Sequence, residues 1–523
     1  MSHERAGSYC ALDKNADVLR IKMGASMKRR EFVRSALLAA ATVPALQLVP
    51  VWARSGAIPD ITAVTTEGRE VTLRSAEVRE LAEALKGQLL LAGDAGYDEA
   101  RLLLNPSFDK HPALVAQPSD VAGVQAAVSF AREHNLLLAV KCGGHSHSGQ
   151  STCERGLLID LKNLRGVQMD TTARRVSVKG GTLLGQVDRE TLAQGLVTPL
   201  GTVSHTGVGG LTLGGGFGRV ARRYGMAIDN LGSIDVVTAD GKLRHTSLKE
   251  HPDLFWGLRG GGGNFGVVTQ FEFMLHPMQR EVIAGKVTFP IAKARDMLAM
   301  FADYAPSAPH ELYLDPMLML PPGGAAGAAQ LEVCYSGPAH SADSVLAPIR
   351  KLGTPLSDTI KAVDYVELQR SGDMTDARML GTYLKGGFIP SLPEKLIAAA
   401  VEGIQGDQDR FTALFFQHCG GACSRVPENA TAFAHRYALA NMMTMSGWRH
   451  GSVDPASHIA AARRYWSGLE SFTQGFYVND MPREATPADI GSNYRGNHAK
   501  LVALKTKYDP NNLFRLNANI QPA

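Results

Sequence analysis

The chain has 523 residues, 45% hydrophobic and 20% charged, which supports two or three lobes with their own cores and excludes a disordered chain. A net charge of +4 is too small and dispersed to point to nucleic acid as a partner. Six cysteines are too few for a disulfide framework; Cys419 and Cys423 in CGGAC either pair locally or stay as thiols beside a Gly-Gly turn.

In chain order, the first feature is MKRREFVR at 27–34, followed by the apolar stretch SALLAAATVPALQLVPV and the small-residue site VWA. Paired arginines before a moderately apolar run resemble a twin-arginine export signal, so 1–55 is read as extension plus signal and the mature chain as periplasmic or secreted. The run is short for a membrane span and contains Pro44, Gln47 and Pro50, so no stable membrane insertion is expected after cleavage. A basic cytosolic N-terminus or an uncleaved anchor is the other reading.

From 75 to 277 helical and strand patterns alternate. Ser119 to Asn135 carries helical spacing behind a Ser-Asp start. Leu136 to Val140, Gly156 to Leu161, Arg175 to Lys179, Ile234 to Thr238 and Gly266 to Phe273 read as strands, and Thr182 to Gln194 as a helix. Residues 278–472 mix strand runs (LEVCY, TALFFQ) with amphipathic helices such as Ser457 to Ser467, which predicts a second lobe with a sheet covered by helices. In 473–523 a helix over Tyr494 to Lys507 precedes the turn-rich YDPNNLFRLNANI.

Three glycine clusters stand out: KCGGHSHSG from 141, GTVSHTGVGGLTLGGGFG from 201 and FWGLRGGGGNFGVV from 255. None is a G-x-G-x-x-G between a strand and a helix, and no G-x-x-x-x-G-K-[ST] occurs, which argues against a Rossmann dinucleotide site and a nucleotide triphosphatase. Cys142, His145 and His147 have the look of metal ligands, yet no second ligand pair follows at zinc-site spacing. The competing reading is a glycine turn that lets backbone N–H groups approach a pyrophosphate and presents one imidazole to a cofactor, with Cys142 packed beneath it.

The order of these clusters, with ALVAQPSDVAGVQAAVSFARE, DLFWGLRGGGGNFGVVTQFEF and the tail KYDPNNLFRLNANI, resembles the berberine bridge enzyme-like FAD-linked oxidases of the vanillyl-alcohol oxidase type, over about 95–523. The resemblance implies an α+β fold: a two-subdomain PCMH-type FAD-binding domain at 75–277, an α/β substrate domain at 278–472 with an antiparallel sheet covered by helices, and a 473–523 segment returning to the FAD domain. It implies FAD, with Gly143-Gly144-His145 matching the turn whose histidine bonds to the flavin ring methyl. Lys141, Cys142 and Ser146 would flank the pyrophosphate, although relatives commonly carry arginine where Lys141 stands. Val203, Ser204, Gly207, Gly209, Gly210, Gly214, Gly216, Asn264, Val267, Asn497 and Asn519 complete the implied FAD contacts. Val203 occupies the place of a second, cysteinyl link in some members, so a single link through His145 is expected.

For catalysis, the resemblance implies active-site tyrosines near Tyr477 and Tyr494, either of which could instead pack against the ring edge. His147, two residues past the tether, is a candidate acid/base or a solvated loop residue; His205 and His418 are weaker candidates. In ENATAFAHR the place where plant members have a catalytic glutamate falls on Ala430 or Thr431 in this chain, which argues for plain alcohol or amine oxidation. Val208, at the x of Gly-x-Gly-Gly, is small enough to admit oxygen in such a fold. The expected activity is oxidation of a hydroxyl or amine on a carbohydrate or secondary metabolite, with oxygen as acceptor. A dehydrogenase with another acceptor and an inactive flavin-binding protein are the alternatives.

Overall fold

The computed structural model describes residues 58–373, 377–405, 410–451 and 454–523. The extension and export-type segment at 1–55 lie outside these residues.

The first sheet has strands Leu114–Gln117 and Leu138–Lys141 parallel to a central Leu157–Asp160, with Gln88–Leu90 antiparallel on the outer edge. The central strand is buried at every position, as a parallel strand covered on both faces must be. The crossover is the helix Val121–Glu133, where Val124, Ala127, Val128 and Ala131 form its buried stripe. The Asp120 carboxylate caps it by accepting from Gly123 N–H at 2.9 Å, an interaction worth about 1 kcal/mol. The turn 142–149 leaves directly from the C-terminal end of Leu138–Lys141.

The second sheet is antiparallel, in the order Leu243–Ser247, Leu231–Val237, Val267–Met274, Arg175–Lys179, Val167–Asp170. Val176, Val178, Phe271 and Phe273 alternate inward with period two and are fully buried. The Arg175–Lys179 strand falls where the sequence pattern places it, and the other predicted strands agree within a few residues.

The eight-stranded third sheet starts at Glu281, three residues past the expected domain boundary, and is antiparallel throughout. The helices Ala294–Tyr304, Ala342–Arg350, Glu394–Gln405 and Pro455–Ser467 share its core, with Phe289, Phe301, Leu314, Phe416 and Trp466 buried between the layers. The expected helix from Tyr494 begins instead at His498. Arg495 has φ +51°, a left-handed conformation that an α-helix cannot contain, so residues 495–497 form a separate 3₁₀ turn. The tail then folds back on the FAD-type half, where Lys505 is fully buried and donates to Asn264 O, Phe514 O and the Asp509 carboxylate.

Candidate functional site

Two of the glycine clusters cross. A Cβ on Gly143 would stand 2.3 Å from Gly207 N, and one on Gly207 would stand 2.3 Å from Gly143 N and 2.4 Å from Cys142 Sγ. Only glycine permits such backbone-on-backbone contact. Cys142 lies beneath the crossing with its thiol donating to Gly180 O at 3.2 Å, and burial pushes that thiol up to about 11. The packing reading of Cys142 is therefore the one the fold realises. Among the described residues, no group of three His, Cys, Asp or Glu converges as metal ligands.

The crossing forms one wall of a cleft of about 340 Å³, which all three glycine clusters, the 477–480 turn and the tail around Asn517 also line. A Cβ on Gly210 would meet nothing within 4 Å, and Gly262 and Gly263 would meet only side-chain tips at 4.0 and 3.9 Å, so side chains there would fill the cleft itself. On the cleft wall Ser151 Oγ and Asn517 Oδ1 are buried without a hydrogen-bond partner, a costly state that a polar ligand relieves. A cradle of glycines beside buried polar atoms fits a cofactor with a flat ring and a pyrophosphate.

His145 lines the cleft, and its Nε2 lies 2.6 Å from His205 Nδ1 while its Nδ1 lies 3.4 Å from Thr206 Oγ1. Burial first, then the charges of His205 and His147, push this imidazole down to about 3, so it is neutral at physiological pH. His205 thus belongs to the site more intimately than its sequence context suggested.

Toward the third sheet the cleft is lined by His147, Gln417, Tyr477 and Asp480. The Tyr477 hydroxyl accepts from Gly216 N–H at 2.9 Å and from Asn479 Nδ2 at 2.8 Å, and its ring packs edge-on against Phe217 at 5.1 Å. Burial holds its phenol well above the ordinary range, so it is a fixed hydroxyl rather than a ready base. Asp480 is the carboxylate that sequence reading missed. Burial raises its carboxyl, while the charge of nearby His147 and a 3.2 Å bond from Asn441 Nδ2 pull it back. It stands three residues past Tyr477, outside the 428–436 stretch.

Of the predicted contacts, Cys142, Gly143, Gly144, Ser146, Val203, Gly207, Gly209, Gly210 and Val267 line the cleft with His145 and His147. Lys141 does not: its ammonium is buried on Ala100 O, 3.5 Å from the Asp160 carboxylate, and acts as a strut of the first sheet. Ser204 donates to Asp373 at 2.6 Å, outside the lining. Gly214 and Gly216 sit behind the wall, where added Cβ atoms would strike Asn479 at 2.2 Å and Ala227 at 2.4 Å. Asn264 bridges Gly261 O and Ala518 O, and Asn497 holds Glu428 O and Thr431 O, so both are supports. Asn519 also lies off the lining, and the buried Tyr494 donates to Gly261 O at 3.3 Å away from the cleft. Val208 is buried in the core between two glycines of the wall, and its N–H donates to Thr182 O. His418 is core-buried, with Nε2 on Ala305 O, and Cys419 and Cys423 are both free thiols.

Comparison with known proteins agrees with this geometry. Residues 112–247 match the family model described as FAD binding domain, and 486–521 match that described as berberine and berberine like. An FAD-linked oxidoreductase of Dictyostelium discoideum is 31% identical over 454 residues, covering 85% of this chain and 97% of that protein. The (R)-6-hydroxynicotine oxidase of Paenarthrobacter nicotinovorans is 27% identical, covering 84% of this chain and 97% of that protein. The solved structure of a chitooligosaccharide oxidase superposes with a TM-score of 0.77 at 26% identity, covering 85% of this chain and 99% of that one. The crossed glycine turns, the cleft they bound and these relatives lead to one conclusion: the chain belongs to the berberine bridge enzyme-like family of FAD-dependent oxidoreductases.

Proposed function

We propose that this chain is an exported oxidase that removes two electrons from a hydroxyl-bearing carbohydrate or secondary metabolite and passes them to oxygen, with FAD tethered through His145 alone. The observation that carries the choice of a hydroxyl is the buried carboxyl of Asp480 beside His147 in the cleft. Oxidising an alcohol requires removal of its O–H proton, and these two side chains supply an acceptor for it.

The crossing at Gly143 and Gly207 and the open faces of Gly210, Gly262 and Gly263 would hold FAD. When bound, that cofactor supplies the hydride acceptor. The chain's own part is positional and protolytic. Tyr477 is fixed by Gly216 and Asn479 and defines one edge of the substrate space. Asp480, held by Asn441 and within electrostatic reach of His147, receives the hydroxyl proton directly or through the imidazole. The aromatic packing of Phe217, Phe388 and Tyr477 excludes water behind them.

The relatives support a small polar substrate, since one is named for 6-hydroxynicotine and another for chitooligosaccharide. The test is to purify the full chain, supply sugars, oligosaccharides, aromatic alcohols and hydroxylated N-heterocycles, and record hydrogen peroxide in air beside dye reduction without oxygen. Peroxide in step with substrate loss supports an oxidase. Turnover with dye alone replaces it with a dehydrogenase, and no turnover across the panel with a flavin-binding protein. His145→Ala protein that keeps its flavin through denaturation would remove the tether. Export is tested by locating the mature protein and sequencing its N-terminus.

A further inference from the structure

We propose that a second cavity, separated from the cleft by His147, seats a carboxylate-bearing ring at the far end of the substrate, with Arg483 as its anion-selecting residue. The proposal rests on the oxidase reading above and adds the class of substrate that the chain selects.

The cavity has a volume of about 380 Å³, slightly more than the cleft, which is room for one substituted ring. It lies at the seam where the third sheet ends. The strand Leu380–Ile389 is an edge of that sheet, and beside it stands a side chain rather than a further strand. Asn105 Nδ2 donates to Thr382 O at 2.9 Å, and Thr382 N–H donates to Asn105 Oδ1 at 3.3 Å. One amide covers one position only, so the edge beyond it stays open and the cavity forms there. Phe108, three residues past Asn105, makes one wall. Gly149, the last residue of KCGGHSHSG, leaves space for it, since a Cβ there would stand 2.2 Å from the Phe108 ring.

Tyr383 and Trp448, both buried, complete the aromatic walls. Flat faces of this kind take an aryl ring or the C–H face of a sugar. The rim is basic. His450 and Arg483 are exposed and line the cavity, and no Asp or Glu is among the described residues that do so. The neighbouring carboxylates are engaged elsewhere. Glu484 accepts from the Tyr383 hydroxyl and lies 3.4 Å from Arg463 Nε, and Asp109 pairs with Arg101. Among the described residues Arg483 forms no ion pair, and its guanidinium lies over the Phe108 ring, 4.9 Å from the centroid. A guanidinium held against a ring, with its N–H edge free, suits a carboxylate. Ser107 Oγ, on the same wall, is buried without a hydrogen-bond partner, as Ser151 Oγ and Asn517 Oδ1 are in the cleft, and this points to a polar ligand.

His147 lines both cavities, and of the consecutive residues Asp480 and Met481 the first lines the cleft and the second this cavity. A two-ring substrate anchored by its acid at Arg483 therefore presents its other ring past His147 to Asp480.

The test measures binding first and turnover second. Full-length, flavin-loaded chain is titrated by equilibrium dialysis with two pairs of two-ring probes. One pair is 4-carboxyphenyl glucoside and its carboxamide, and the other is a glucose–glucuronic acid disaccharide and its amide. The acid of at least one pair should bind about fivefold more tightly than its amide, and the pair that shows this tells an aryl acid from a sugar acid. Arg483→Gln should bring that ratio below about twofold, while Arg483→Lys keeps part of it, with the flavin absorbance unchanged in both. Where a pair is oxidised, the preference should appear in KM with kcat unaffected. Equal affinities within both pairs, a ratio that survives Arg483→Gln, or a preference confined to kcat overturns the proposal. A ratio that depends on Arg483 without turnover of either pair upholds the cavity and counts instead against the oxidase reading.

Discussion

Gly143 and Gly207, 64 residues apart in sequence, cross with their backbones in direct contact, and every other element of the cleft is arranged around that point. A methyl group on either would stand 2.3 Å from a backbone nitrogen, which no rotamer change can relieve.

Gly207→Ala should therefore push the two turns apart. We expect a stability loss of about 1–3 kcal/mol, read by denaturant unfolding, together with a lower flavin-to-protein ratio in the purified chain. Gly210→Ala, whose Cβ meets no protein atom, should keep the fold's stability while weakening FAD. Equal behaviour of the two variants would contradict this account.

Asp480→Asn should lower kcat by roughly 10²–10⁴-fold if the carboxylate is the proton acceptor. Burial raises its carboxyl, so the wild-type kcat/KM should climb with pH through a point above the ordinary carboxylate range. The same raised value means that the folded state holds this proton more tightly than the unfolded chain does. Stability from this group is full at low pH and lost as pH rises, so Asp480→Asn should melt higher than wild type at pH 7.

Asp188 offers a separable pH effect away from the cleft. It is buried beside Gln369 and Arg219, and burial outweighs both partners to push its carboxyl up to about 7. Between the ordinary carboxylate value and that point only the folded chain keeps the proton, so stability falls by about 1.4 kcal/mol per pH unit as pH rises. Asp188→Asn should flatten this slope in urea titrations from pH 4 to 7. An unchanged slope would assign the pH dependence elsewhere.

Arg436 grips Asp229 with two bonds of 2.7 and 2.8 Å, both side chains buried, and this pair joins the lobes. Asp229→Ala should cost about 3–5 kcal/mol because it leaves the guanidinium buried and uncompensated. Replacing both residues with apolar ones should recover much of that loss, measured by the same unfolding curves.

Lys505→Met should be similarly costly. It strands the Asp509 carboxylate, which also accepts from the N–H groups of Leu513 and Phe514, and so loosens the tail that carries Phe514 and Asn517 to the cleft. The expected result is weaker FAD binding together with a lowered Tm. A lowered Tm with unchanged FAD affinity would show that the tail's position does not depend on this pair.

The layers of this fold were legible because periodicity reports burial directly: Arg175–Lys179 alternates cleanly and Val121–Glu133 carries a helical stripe behind an Asp cap. The glycine wall of the cleft was legible because its glycines come in three dense clusters. Side-chain direction was not. Lys141 sits beside the pyrophosphate turn yet points back into the first sheet, and a strand pattern cannot tell a strut from a ligand contact. Tyr494 was placed in the site by the family resemblance, but its hydroxyl donates to Gly261 O away from the cleft, next to the left-handed Arg495. The partnership of His145 with His205 and the arrival of Asp480 beside His147 are long-range events that local pattern does not encode.

Because Phe514, Leu516, Asn517 and Ala518 form part of the cleft wall, the cleft cannot be finished until residues 514–518 have left the ribosome and docked. A complete seat for the flavin therefore waits on this tail, long after the first glycine turn has been made. A truncated chain, or one whose tail is held away by a bulky C-terminal fusion, would fold its sheets and still lack a complete seat for the cofactor.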